Sequence, residues 1–211
     1  RTLSIPTLAS GVGFDLDGGG TQLGCGVDGV DGIDNALAGL AALTGLVNLD
    51  INQLLTAAIT FRLVRLRVRL DECGATPTLV MVDANGAPIG TPRDAVVEVS
   101  SDGNYTFEGS VEQVPIVLSL PFGGGIQVDI SLDEVQLAGT VAGGNLAPLV
   151  IGGEIPRERI EALAESFGDM GGLPPGTIEA LLGDLLDLHI DPNTGNCEAM
   201  SGALVATGSE L

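Results

Sequence analysis

Aspartates near the N-terminus carry the most distinctive chemistry in the chain. Asp15 and Asp17 precede a glycine triplet, and Asp28, Asp31 and Asp34 follow at intervals of three within a Gly-rich stretch. Short carboxylates, with glycine freeing the backbone to wrap, are what a hard cation such as Ca²⁺ requires. An interval of three departs from the alternate positions of an EF-hand loop. The competing reading is an acidic loop entering a helix N-terminus, where the helix dipole favours negative charge. Asp191, Asn193 and Glu198 form a second cation candidate, which an Asx turn joining helix to strand explains as well.

Other chemistry is sparse. His189 is the single histidine, so every Ser-His-Asp or Cys-His arrangement depends on one residue at a helix-to-loop junction, where a structural role is the expectation. The chain has no GxSxG, no P-loop and no GxGxxG in a strand-turn-helix setting. It also lacks lysine, which excludes Schiff-base chemistry. Carboxylates are too abundant to single out an acid/base pair. With no Trp and one Tyr, sugar binding by aromatic stacking has little to work with. A non-enzymatic protein with no cofactor other than calcium is the expectation. Asn104-Tyr105-Thr106 is a glycosylation sequon on an expected hairpin turn.

Cys25, Cys73 and Cys197 stand far apart, and none belongs to a CxxC pair, so structural zinc is not expected. In an oxidising compartment two would form a bridge and leave one over; the sequence leaves all three pairings open. All eight basic residues are Arg, and the net charge of -20 repels nucleic acid and anionic membranes while attracting cations. Arg65, Arg67 and Arg69 alternate with Val64, Leu66, Val68 and Leu70, giving a strand with an apolar and a basic face. Asp129, Ser131 and Asp133 offer a matching period to oppose that face; the functional alternative is an acceptor surface for an acidic neighbour.

The elements that would position these residues follow from the hydropathy pattern. Across 211 residues, 45% are apolar and 3% aromatic, which calls for a large aliphatic core. No apolar run is long enough to span a membrane. Residues 1–35 read as an extended Gly/Asp-rich segment within a single domain covering 1–211. Leu3, Ile5 and Leu8 suit an edge strand. Asp34-Asn35 then caps a helix carrying Leu37, Leu40, Leu43, Val47, Ile51 and Leu54. Strands are expected at 61–70, 78–82, 95–101, 105–111, 116–120, 126–132 and 135–141, then helices at 157–167 and 177–188, and a last strand at 199–207. This order predicts an α+β fold, an antiparallel β-meander sheet packed with three helices on one face; a β-sandwich with peripheral helices is the alternative.

Gly13-Phe14-Asp15-Leu16-Asp17-Gly18, Asp31-Gly32-Ile33-Asp34-Asn35-Ala36-Leu37 and Ile190-Asp191 through Cys197-Glu198-Ala199-Met200-Ser201 resemble uncharacterised secreted or lipoprotein-type proteins of myxobacteria. The resemblance implies export from a bacterial cell and carries no activity. The start at Arg1 fits a mature form after signal-peptide removal. The expected role is therefore an extracellular or cell-surface structural protein. Self-assembly into filaments by addition of the Leu3/Ile5 strand to a neighbouring copy is the accompanying expectation. A lipid or small-molecule binding module and a calcium-binding surface module are the alternatives.

Overall fold

The computed structural model describes residues 2–17, 25, 32–46, 50–120, 126–171, 180 and 182–209. In chain order these form β1 (Thr2–Ser4), α1 (Leu37–Leu46), α2 (Ile51–Thr60), β2 (Val68–Asp71), β3 (Thr78–Val82), β4 (Pro88–Val99) and β5 (Tyr105–Val114). β6 (Val117–Leu120), β7 (Ile126–Asp129), β8 (Leu132–Ala142), β9 (Asn145–Pro156), α3 (Arg157–Gly171), β10 (Leu188–Ile190) and β11 (Cys197–Ser209) follow. Nine strands make one antiparallel sheet ordered β1-β11-β9-β8-β5-β4-β3-β2, with β10 beside β11. β6 and β7 form a separate hairpin.

The expected α+β arrangement, a meander sheet carrying three helices on one face, is overturned. Strand accounts for 48% of the chain and helix for 19%, so the protein is chiefly an antiparallel sheet with short helices attached. The single helix expected from residue 36 to 54 is two, because Asp50 leaves the helical conformation and caps α2 by accepting the Gln53 N–H at 3.0 Å. The helix expected at 177–188 ends before Leu188, where β10 begins; Thr177, Ile178 and Leu181 lie outside the described residues. Most of the strand expected at 61–70 is irregular, and only Val68–Asp71 pairs.

β9, an interior strand between β8 and β11, falls where no strand is expected from the sequence. Its Pro148 and Gly152-Gly153 look like loop punctuation. Packing explains the glycines. A Cβ at Gly153 would sit 2.7 Å from the Asp133 carbonyl oxygen, and one at Gly152 would collide with the Phe14 ring. Glycine in a strand interior marks such close approaches. β4 is long because its first half pairs with β3 and its second with β5.

One apolar cluster forms the core. Val111, Val135, Leu137, Ile151, Ile155, Met200 and Leu204 contribute from the sheet, each buried. Leu37 and Leu40 of α1, Ile51 and Leu55 of α2, Ile160 and Leu163 of α3, and Leu118 and Val128 of the hairpin join them. Full burial of such a side chain stabilises the fold by about 1.5–3 kcal/mol. Phe167, expected on the same helix face, has a side chain outside the described residues.

Cys25 and Cys197 form the disulfide, and Cys73 is free and exposed. The bridge spans 172 residues and fastens the N-terminal segment to the start of β11. A cross-link over so long a loop strongly restricts the unfolded chain. Reducing the bridge, or replacing both partners by Ser, is expected to lower the unfolding free energy by about 2–5 kcal/mol. Denaturant titrations with and without reductant check this, and superimposable curves would contradict it.

Candidate functional site

The outer edge of β11 is occupied by four different partners in succession. At one end β1 pairs through Thr2 with Thr207, Leu3 with Ala206 and Ser4 with Val205; at the other, β10 pairs through Leu188 with Ala199 and Ile190 with Cys197. Between these strands the edge would expose the amides of Ser201 and Ala203. Two side chains take them instead. Asp187 accepts the Ser201 N–H at 2.6 Å, and the Asn35 Oδ1 accepts the Ala203 N–H at 3.1 Å. The Asn35 amide nitrogen then donates to the Pro6 carbonyl at 3.1 Å, so one side chain bridges the β1 continuation to β11.

The Ser201 hydroxyl donates to Asp187 at 2.5 Å and accepts the Ala36 N–H at 2.8 Å. A serine beside a carboxylate with a raised pKa has the outline of an activated nucleophile. Ser201 is fully buried, however, and both the donor and acceptor capacity of its hydroxyl are engaged in closing the edge. Burial pushes the Asp187 carboxyl up from 3.8 to about 6, opposed by its Ser201 bonds and reinforced by the nearby Asp34 charge.

Asp34 holds the N-terminal loop in a tight fold. Its backbone N–H donates to the Phe14 carbonyl at 2.9 Å, and its carboxylate accepts the amides of Leu16 at 2.8 Å and Asp17 at 3.3 Å. Asp15, Asp17 and Asp34 thereby bring three potential ligand oxygens within 4.8 Å of one another. Asp34 is buried; that burial raises its pKa, the amide bonds counter it, and the charges of Asp17 and Asp15 raise it further. Among the described residues this is the only cluster of three such groups. Asp28 and Asp31, the other members of the expected cation set, lie outside the described residues.

The second candidate set is not gathered into a cluster. Asp191 accepts the Asn193 N–H at 2.8 Å and the Thr194 hydroxyl at 2.9 Å, which is an Asx turn, and these bonds hold its carboxyl below the ordinary range. Glu198 faces Arg157 at 3.8 Å instead. His189 binds Glu154 across the sheet from a left-handed backbone position, φ 54°.

The assembly residues Leu3 and Ile5 are buried within their own chain, with β1 on its own β11. Leu8 belongs to a short 3-10 turn, and its side chain lies outside the described residues. The opposition expected between the arginine row and Asp129, Ser131 and Asp133 is not formed. Arg159 of α3 takes that place, donating to the Ser131 carbonyl at 2.7 Å and to Asp133 at 2.8 Å.

Two open clefts bear on ligand binding. One, of about 410 Å³, lies between α3 and Leu182–Leu186, with Arg157, Glu161 and Glu165 in its wall. The other, of about 380 Å³, lies on the outer sheet face between Val96, Thr106, Ala138 and Val150. No described helix is long and apolar enough to cross a membrane. No family model, no curated protein and no solved structure matches the chain.

Asp187 generates a pH prediction. The folded carboxyl near 6 lies above its ordinary 3.8. Between those values the folded state keeps a proton that the unfolded state has released, so its contribution is fully present below about pH 4 and is lost as pH rises through 6. The expected loss is about 1–3 kcal/mol, scaled down for its partial exposure. Asp187→Asn should flatten this part of the stability profile and be at least as stable as wild type at pH 7. Denaturation of both proteins from pH 4 to 7.5 checks it; parallel profiles would contradict it.

Proposed function

We propose that the chain is an extracellular or cell-surface, non-enzymatic β-sheet module with a structural role. The observation that supports this reading is the use made of the most chemically suggestive polar groups. Asp187, Ser201, Asn35 and Asp34 are buried or half-buried, and each is spent on backbone amides that hold the N-terminal loop and β10 against β11. The long-range disulfide fits an oxidising compartment. A screen of the purified protein against ester, peptide and glycoside substrates should give no turnover. Turnover lost on Ser201→Ala or His189→Ala would reverse this reading.

A second reading, calcium binding by the N-terminal loop, is favoured by the convergence of Asp15, Asp17 and Asp34. Burial is the main cause of the raised Asp34 pKa and the charges of Asp17 and Asp15 add to it; a divalent cation there would relieve that added repulsion. Oxygen ligands on a glycine-flanked loop suit Ca²⁺ better than softer metals. Binding restricted to the folded state raises its stability by mass action. Millimolar Ca²⁺ is therefore expected to raise the melting temperature by several degrees relative to chelator, and Asp15→Asn with Asp17→Asn to remove the increase. These two substitutions leave the Asp34 bonds to the loop amides in place. Identical melting curves with Ca²⁺ and with chelator would leave only the acidic-loop reading.

A further inference from the structure

The two ends of the sheet are finished differently. Beyond β1, the Ile5 N–H donates to the Asn52 side chain at 2.7 Å and Asn52 donates back to the Ile5 carbonyl at 3.4 Å, so α2 covers that edge. β2, the terminal strand at the other end, pairs only with β3. The Val82 N–H donates to the Arg67 carbonyl at 2.9 Å, which directs the backbone groups of Arg67, Arg69 and Asp71 toward β3. By the alternation of an antiparallel strand, the N–H and C=O of Val68 and Leu70 face outward. No described residue bonds to them.

This open edge is also the most basic part of an acidic molecule. Four of the eight arginines, Arg62, Arg65, Arg67 and Arg69, fall in eight residues of a chain with net charge -20. Arg67 is tied to the Ala84 carbonyl at 2.7 Å. Arg62, Arg65 and Arg69 are exposed, with no carboxylate within ion-pair distance among the described residues. Phe61 and Leu63, 73% and 72% exposed, extend the same segment with apolar surface.

Charged residues on an edge strand ordinarily guard against aggregation. A guard alone does not explain why half of the arginines of a chain with net charge -20 gather in this one segment. Two copies of the edge meeting antiparallel about Arg69 would oppose Arg69 to Arg69 and leave Arg65 facing Cys73, with only Arg67 set against an acid, Asp71; an acidic segment satisfies more of the row than a second copy does. Lipid headgroups and polysaccharides carry no regular alternation of N–H and C=O to match the outward groups of Val68 and Leu70. An extended polypeptide does.

We propose that the open edge of β2 docks an acidic, extended segment of another polypeptide. The segment adds as a strand to Val68 and Leu70, sets its carboxylates beside Arg65 and Arg69, and meets Phe61 and Leu63 with an apolar residue at its end. Backbone pairing supplies the geometry, and the arginines select for negative charge.

The test uses the full chain with a fluorophore on Cys73, the free exposed thiol just beyond β2. It is titrated at pH 7 with an eight-residue peptide of alternating Glu and Val. Saturable binding is expected, weakened at least tenfold by Arg65→Glu with Arg69→Glu and by raising salt from 50 to 300 mM. The same peptide N-methylated at alternate amides, which keeps its charge and loses its donors, should also bind at least tenfold more weakly. The milder pair Arg65→Gln with Arg69→Gln, checked by circular dichroism and melting temperature, separates lost docking from lost folding. Absence of saturable binding, or equal binding of the N-methylated peptide, overturns the proposal. So does equal binding by either arginine variant. Displacement of the peptide by phosphatidylglycerol vesicles would assign the edge to an anionic surface instead. Self-association abolished by the same substitutions would assign it to a second copy; either result also overturns the proposal.

Discussion

The edge of β11 between Ala199 and Val205 is the constraint on which the N-terminal half of the architecture depends. Two short strands occupy this edge without meeting, and each leaves the next amide of β11 facing a gap. A buried N–H without an acceptor costs about 1–3 kcal/mol. Asp187 and Asn35 remove two such costs with one side-chain oxygen apiece. Asn35 can do so only if residues 32–35 pass directly over the gap. That path in turn brings Asp34 onto the amides of Leu16 and Asp17 and seats Phe14 against Gly152. The loop conformation, the gathering of three aspartates and the glycine in β9 share this one requirement.

An internal tension follows. Filling the gap with a carboxylate rather than an amide buries Asp187, which disfavours its ionised form, and the nearby Asp34 charge adds to that cost. Asn35, which does the same work at the neighbouring amide, carries no such burden. The bonds from Ser201 favour the ionised carboxyl, but burial outweighs them, so the fold loses stability as Asp187 ionises. A cation over Asp15, Asp17 and Asp34 would weaken the part of this cost that comes from the Asp34 charge. Structural and cation-binding readings of the loop are therefore compatible.

Much of the sheet was legible in the sequence, and the reasons are local. β3 has the bounds its sequence pattern predicts, and β5, β6, β8 and β11 lie near theirs, because period-two alternation and signals such as Asp102-Gly103 act over a few residues. The clustering of Asp15, Asp17 and Asp34 was legible as composition, although the contact that creates it, from Asp34 to the amides of Leu16 and Asp17, crosses 17 or 18 residues. β9 was hidden because the features that admit it to the centre of the sheet, glycines under Phe14 and Asp133, mimic turn chemistry. Asn35 and Asp187 were hidden for a different reason. Asn35 reads as a helix cap and Asp187 falls within the helix expected at 177–188, and their roles exist only once β11 lies beside them. The arginine row was visible, but its expected partners were claimed by Arg159, whose place on α3 no strand alternation reveals.

Site-resolved amide hydrogen exchange tests the central claim most directly. If Asp187 and Asn35 close the middle of the β11 edge, the Ser201 and Ala203 amides exchange as slowly as the strand-paired amides of β11. Asn35→Ala should then accelerate Ala203 by at least tenfold while leaving amides in the centre of β8 unchanged. Fast exchange at Ser201 and Ala203 in the wild-type protein, comparable to the open edge of β2, would contradict it.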